Sequence, residues 1–500
     1  MSEPINDGAA ISQAANAAWD NRRATGQKYG GPVMASSYES FLESKTRKAI
    51  PSGFEVQSID LNPNLFGFQC DLVRWALRIG RAAIFADTGL GKTAMQLSWA
   101  DVIHRHTSSD VLILAPLAVA SQTAREAAKF GIEARVCREG TDVRPGISIA
   151  NYERLHRFDT SRFGGVVLDE SSILKSYMGK TKQALIRSFE ATPYKLACTA
   201  TPAPNDYLEL GNHSEFLGVM PSNEMIARWF QNDAMTCGNY RLKPHGERDY
   251  WRWLTSWGVC VSNPEDLGHD GSAYKLPPLD AEIVELSSED CPPPEGYLFH
   301  TAEVSATTLH RVKRATAAER ARALAEMVNA DDPDEPWLIW CDTNYESDQI
   351  RPLIPGAIEV RGDDPPEIKE SRLLGFVSGE IKRLVTKPEI AGMGLNFQHC
   401  NRMAFIGASF SFERFYQAVR RCHRFGQLRQ VIVRVFSTDA ESSILKTLLA
   451  KQEAFESMRR KMVEAVKEDQ LEAIHGGRAL RTFDRGRVVS LPSWLRSQTG

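Results

Sequence analysis

The sequence predicts an α/β fold: two parallel-sheet lobes in tandem, with an insertion between them. Three observations predict it. Short apolar runs of strand length alternate with helical stretches from Asn62 to about Thr201. The alternation breaks into Trp- and Pro-rich sequence from Pro202 to about Ala315, and it resumes from Pro336 to Ser437. Apolar strands alternating with helices are the pattern of a parallel sheet buried on both faces. A chain of 500 residues has room for about two to four such domains.

The elements follow in order. Residues 1–55 are polar and rich in small residues, and read as an N-terminal arm or accessory helices. In the first lobe, 56–202, the strand candidates are AAIFA, VLILAP, ISIAN, VVLDE and YKLACTAT. TAMQLSWADVI, beginning at Thr93, reads as an amphipathic helix. Residues 203–315 contain RWF, DYWRWLTSW and CPPPEG, and read as an insertion plus a linker. Within it Trp229, Trp251, Trp253 and Trp257 are expected in a core rather than on a base-stacking surface. In the second lobe, 316–475, the strand candidates are PWLIWCD, IKRLVT, RMAFIGA and VIVRVFS, followed by a helical pattern to about Gln470. Residues 476–500 form a basic tail.

Composition narrows the function classes. Hydrophobic content of 42% and charged content of 25% fit a globular protein in water. The formal net charge is −3, so any nucleic-acid partner must be met by a local basic surface. Nine cysteines occur without a C-x-x-C pair, which argues for a reducing cytoplasm and against a zinc module. His213, Cys237, His245, Cys260 and His269 show no zinc spacing and are expected to be structural. Apolar runs stay far below the ~20 residues that cross a bilayer. The start MSEPINDGAA lacks the apolar centre of a signal peptide.

Chemistry concentrates in three segments. The first is ADTGLGKT, between a strand candidate and a helix candidate. In that arrangement the N–H groups of a glycine turn and the helix N-terminus cradle phosphate. Gly89 and Gly91 let the backbone approach, Lys92 reaches the β- and γ-phosphates, and Thr93 offers a hydroxyl to Mg²⁺. Ala86 stands where the pattern G-x-x-x-x-G-K-[ST] has its first glycine. The second is VVLDESS, which places Asp169 and Glu170 at the carboxyl end of a buried strand, where ligands of open α/β sheets bind. Asp169 is expected to hold Mg²⁺, and Glu170 to polarise the attacking water. The third is QAVRRCHRFGQ, Gln417 to Gln427, read as a helix on which Arg421 and Arg424 share a face. An arginine entering from another domain stabilises charge in phosphoryl transfer. A basic solvated face, or a nucleic-acid contact without catalysis, explains this segment equally well from its residues alone.

The ordered set LFGFQCDLVRWAL, ADTGLGKT, LILAP, LDESS, TATP, GMGLN and QAVRRCHRFGQ resembles the superfamily 2 helicases, specifically the Swi/Snf-type DNA translocases, in a small bacterial or phage form. The resemblance covers about Leu65 to Ala450. It implies two RecA-like lobes and an ATPase driven by DNA. In that superfamily the loop commonly reads A-x-T-G-x-G-K-T, which accounts for Ala86 and adds Thr88 to the nucleotide-binding set. Gly392, Gly394 and Asn396 match the motif before the last, with Gly394 in the nucleotide site. Gln69 aligns with the glutamine that reads the adenine edge; a capping or surface glutamine is the competing reading. Thr199, Ala200 and Thr201 resemble the motif that links the ATP site to the nucleic-acid face. The acidic motif departs from the usual DEAH, DEGH or DEAD: here Ser171 and Ser172 follow Asp169 and Glu170.

The resemblance implies ATP and Mg²⁺ as ligands, and DNA as partner, with duplex favoured and RNA still open. It implies no membrane association, a monomer that protein partners could join, and a bacterial or phage-infected cytoplasm. A strand-separating DNA or RNA helicase and a non-stepping ATP-dependent DNA-binding switch are the rival readings.

Overall fold

The computed structural model describes residues 51–474, except 117–118, 176–178, 204–205, 233–239, 287–312, 392–395, 408–411, 439–452 and scattered positions from 454 to 473. The arm expected at the N-terminus, the basic tail and Gly394 therefore lie outside the described residues.

The first lobe is a sheet of seven strands: β1 (Arg81–Ala86), β2 (Asp110–Ala115), β3 (Ala134–Val136), β4 (Ile147–Asn151), β5 (Phe163–Asp169), β6 (Tyr194–Cys198) and β9 (Gly258–Val261). Their order is β3-β4-β2-β5-β6-β1-β9, and every neighbouring pair is parallel. Central strands such as DVLILA are buried at nearly every position. Helices on both faces demand this, because neither side of the strand meets water.

Two sequence expectations are corrected here. The helix after the glycine turn, Lys92–Thr107, is not amphipathic. Met95 through Ala100 are buried without a break, because it packs against β5 and against helices Gly67–Ile79 and Ala120–Lys129. The span 203–315 is not simply an insertion. Its strand β9 completes the first sheet beside β1, and its later strand β10 (Leu279–Leu286) joins the second sheet. Among the described strands of this span, the antiparallel pair β7 (Phe230–Asn232) and β8 (Tyr240–Leu242) stands apart from both sheets. A four-residue strand, GVCV, carries too little periodicity to be separated from the Trp-rich helix before it.

The second lobe is a six-stranded parallel sheet. It contains β10, β11 (Trp337–Trp340), β12 (Ile358–Val360), β13 (Arg383–Thr386), β14 (Arg402–Phe405) and β15 (Val431–Thr438), in the order β10-β15-β14-β11-β13-β12. Two tandem parallel α/β lobes are thus the architecture, as the alternation of runs predicted. Met462 and Gln470 depart from the expected second lobe. Met462 packs into the core of the first lobe, and Gln470 bonds both backbone polar groups of Cys260 in β9, at 3.1 and 3.2 Å.

The tryptophans are core, as expected. Trp229, Trp251, Trp253 and Trp257 are all buried, and Trp253 lies 4.9 Å from Trp229 and 5.1 Å from Trp257 between ring centroids. They pack with Leu168 and Ala197 beneath the sheet. Trp253→Ala should cost about 3–5 kcal/mol of stability, read by denaturant unfolding. A cost near zero would place the ring outside the core.

Candidate active site

Parallel strands end on one side, so β1, β6 and β5, adjacent in that order, deliver their following loops to a common edge. After β1 the chain turns through Gly89 (φ +94°) and Gly91 (φ +76°) into the helix beginning at Lys92. Both glycines adopt a conformation that side-chain residues resist. A Cβ at Gly89 would also come within 2.9 Å of the Phe425 backbone nitrogen, and one at Gly91 within 2.3 Å of Gln69 Nε2. Lys92 Nζ donates to the carbonyls of Ala86 (3.0 Å) and Asp87 (3.4 Å). Burial pulls its pKa down, and Glu170, Asp87 and Asp169 act against that pull.

After β5 comes the acidic pair. Asp169 is buried, and its Oδ1 accepts from Gln96 Nε2 at 2.8 Å. Burial, and then the neighbouring Glu170, push its carboxyl up to about 6. Glu170 has φ +55°, a left-handed conformation that costs a residue with a Cβ about 1–3 kcal/mol and persists only where its surroundings impose it. Those surroundings are visible. Tyr152 OH donates to the Asp169 carbonyl (2.7 Å), Ile173 N–H to the Glu170 carbonyl (3.2 Å), and Thr199 Oγ1 to Glu170 Oε2 (3.3 Å). His213 Nε2 lies 3.1 Å from Ser171 Oγ.

The arginine segment is not the helix that its spacing suggested. Helix Phe412–Val419 covers only its first three residues, and residues 420–427 run through irregular turns. Gln427 explains the shape: its Nε2 donates to the carbonyls of Gln398, Cys400 and Cys422. Satisfying those buried acceptors pins the turn to its neighbour, while the Arg420 and His423 N–H groups keep isolated helical bonds to the Tyr416 and Val419 carbonyls. Arg421 and Arg424 still reach the same place, but by turn geometry rather than a shared helix face.

These groups line one cleft of about 1240 Å³, counting the space open to solvent. Thr88, Gly89, Gly91, Lys92, Thr93, Asp169 and Glu170 enter it from the first lobe, and Arg421, Arg424 and Phe425 from the second. Burial lowers the pKa of Arg421, with Glu170 and Asp169 opposing. Burial, and then Arg421 itself, lower Arg424 to about 10. Three cations, Arg421 buried and Lys92 and Arg424 half-buried, around two carboxylates make a cradle suited to a polyanion, since a phosphate chain would offset the repulsion among them. For a metal the donor set is sparse. Among the described residues no group of three or more His, Cys, Asp and Glu side chains could hold one. That fits Mg²⁺, which keeps waters and phosphate oxygens and takes one or two protein ligands.

Gln69 lines the cleft with both polar ends engaged. Its Oε1 accepts from Phe66 N–H (3.0 Å), and its Nε2 donates to the Leu90 carbonyl (2.9 Å). In this structure it braces the glycine turn, as a capping glutamine does.

Sequence reasoning missed a polar cluster beside the turn. Asp87 receives bonds from Tyr416 OH (2.9 Å), Arg420 Nη2 (2.7 Å) and Arg459 Nη1 (2.7 Å). Burial would raise its carboxyl, yet the two guanidiniums hold it well below the ordinary aspartate range. The partners lie 329 to 372 residues along the chain, and no local pattern signals such a pairing. Stacking of Phe425 on Tyr274, with centroids 4.6 Å apart, was equally invisible.

Residues 319–426 match the helicase conserved C-terminal domain. No match was found among curated proteins. Among solved structures, the Sulfolobus solfataricus SWI2/SNF2 ATPase core in complex with dsDNA is similar at 17% identity, covering 84% of this chain and 99% of that one, with a TM-score of 0.37. Among the described residues no helix is long and apolar enough to cross a membrane. Over residues 319–426 the second lobe is therefore similar to the helicase conserved C-terminal domain.

Proposed function

We propose that this protein is an ATP-dependent DNA translocase of Swi/Snf type, which hydrolyses ATP between its two lobes to move along DNA, duplex in preference. The carrying observation is that Arg421 and Arg424 of one lobe line the same cleft as Lys92, Thr93, Asp169 and Glu170 of the other. A nucleotide held there bridges the lobes, so its binding and release open and close them. The motif order and the helicase C-terminal domain in the second lobe support nucleic acid as the track.

Lys92 would grip the β- and γ-phosphates, and the turn N–H groups would hold the chain of phosphates. Glu170 would orient the attacking water, and Arg421 and Arg424 would neutralise charge growing on the transferred phosphoryl oxygens. Thr93 and Asp169 would hold Mg²⁺, which would supply charge to offset that of the phosphates. Contacts to DNA would track its phosphates rather than its bases, so binding should weaken steeply with salt. Gly394 would complete the nucleotide site from the second lobe.

The test is ATP turnover with single-stranded DNA, duplex DNA and RNA. The expected result is strongest stimulation by duplex, abolished in Lys92→Ala with the fold intact by circular dichroism. Displacement of a triplex strand without unwinding marks a translocase. Unwinding marks a strand-separating helicase. A Lys92→Ala protein that keeps its DNA-dependent function marks a switch.

A further inference from the structure

Glu170 holds a backbone conformation that a glutamate avoids, and something must impose it. The residue after it supplies the lever. Ser171 is wholly buried, and its Oγ lies 3.1 Å from Nε2 of His213. His213 is itself wholly buried, on helix Glu209–Leu217. Its Nδ1 is 3.3 Å from the carbonyl of Glu209. A carbonyl only accepts, so Nδ1 carries the proton and Nε2 is left as the acceptor; the Ser171 hydroxyl therefore donates to His213. The ring is fixed on another side by Phe85, edge-on at 5.2 Å. Phe85 lies in β1, directly before the glycine turn. One imidazole thus touches both the strand that leads to the phosphate cradle and the residue that follows the water-orienting carboxylate.

The sequence reading placed His213 among scattered structural residues. We propose instead that it is a positioning residue for hydrolysis: by accepting the Ser171 hydroxyl it locks the turn that aims the Glu170 carboxylate into the cleft. This rests on the ATPase reading above. Thr199 holds one carboxylate oxygen of Glu170, while the Ser171–His213 bond holds the backbone that carries it. A left-handed backbone at a residue with a Cβ is strained and relaxes towards the ordinary regions once its restraints are removed. Release of the turn therefore swings the carboxylate away from its working position. Chemistry depends steeply on such placement, whereas nucleotide binding through Lys92 and the turn N–H groups does not.

The experiment measures kcat and KM for ATP, nucleotide affinity by fluorescent-nucleotide titration, and melting temperature. The proteins are the full chain and its Ser171→Ala, His213→Leu, His213→Gln and double Ser171→Ala/His213→Leu variants. The expected result is a fall in kcat of about 10- to 100-fold in Ser171→Ala and His213→Leu, with KM and nucleotide affinity unchanged. His213→Gln, which restores an acceptor, should recover much of the rate. The double variant should be no slower than the worse single one, because the two act through one bond. Equal kcat in all variants, or losses shared by kcat and affinity and tracking melting temperature, overturns the proposal and leaves His213 structural. A wild-type chain without Glu170-dependent ATP turnover overturns the ATPase reading itself, and this inference falls with it. Normal turnover in wild type and the His213 variants, with Glu170→Gln inactive, sinks this inference alone.

Discussion

Arg424→Ala is expected to lower ATP turnover by at least about 10³-fold, the scale on which a transition-state arginine acts, while the protein melts at the same temperature or higher. The two halves of that outcome have one cause. Arg424 is half-buried beside Arg421, and its pKa is drawn down to about 10 by loss of solvent and by that neighbour. A cation whose pKa falls on folding is destabilising at neutral pH, because the folded state binds its proton less tightly than the unfolded chain does. Removing the charge relieves that repulsion, and a site kept at a cost to stability is what catalysis leaves behind. Steady-state ATPase and differential scanning calorimetry on the same preparation check it. Turnover within a few-fold of wild type would place the guanidinium outside the reaction. Lower melting with normal turnover would make it a structural cation.

Asp87→Leu should act in the opposite sense, lowering stability by about 3–5 kcal/mol, the range for deleting one partner of a buried ion pair. It strips Arg420 and Arg459, whose side chains are 12% and 28% exposed, of their shared carboxylate, and deletes the Tyr416 OH–Asp87 bond. The pH dependence has a definite sign. The Asp87 carboxyl is lowered in the folded state. Its contribution is therefore complete above the ordinary aspartate value, and is lost as pH falls below that value towards the folded one. Wild-type unfolding free energy should accordingly fall more steeply than that of Asp87→Leu as a denaturant series is taken from pH 5 to pH 3. Parallel slopes would show that the carboxylate is not held by the two guanidiniums. If the unfolding free energy of Asp87→Leu at neutral pH matched wild type, the cluster would be a surface contact without energetic weight.

Local rules carried the sequence reading far, and stopped where contacts became long-range. Strands such as β2, β5 and β11 were legible because a parallel sheet buried on both faces leaves uninterrupted apolar runs. The glycine turn was legible because strand, Gly89, Gly91, Lys92 and helix follow one another directly. β9 was not, since four residues hold no period to read. Arg421 and Arg424 line the cleft that Lys92 enters, but not along a helix face: Gln427 braces their turn, and hydrogen bonds to three carbonyls have no spacing signature. Asp87 shows the limit most sharply, because its partners come from sequence hundreds of positions away. Ser171 looked like a defect in a familiar motif until the imidazole beside it came into view, from a helix that periodicity treats as ordinary core.

The route of the chain has a mechanical consequence. It crosses from the first lobe to the second between β9 and β10, and by Arg459 it is back against the first, where Gln470 is bonded to the edge strand β9. The two lobes are thus tied twice by covalent chain, and neither can drift from the other on a single tether like beads on a string.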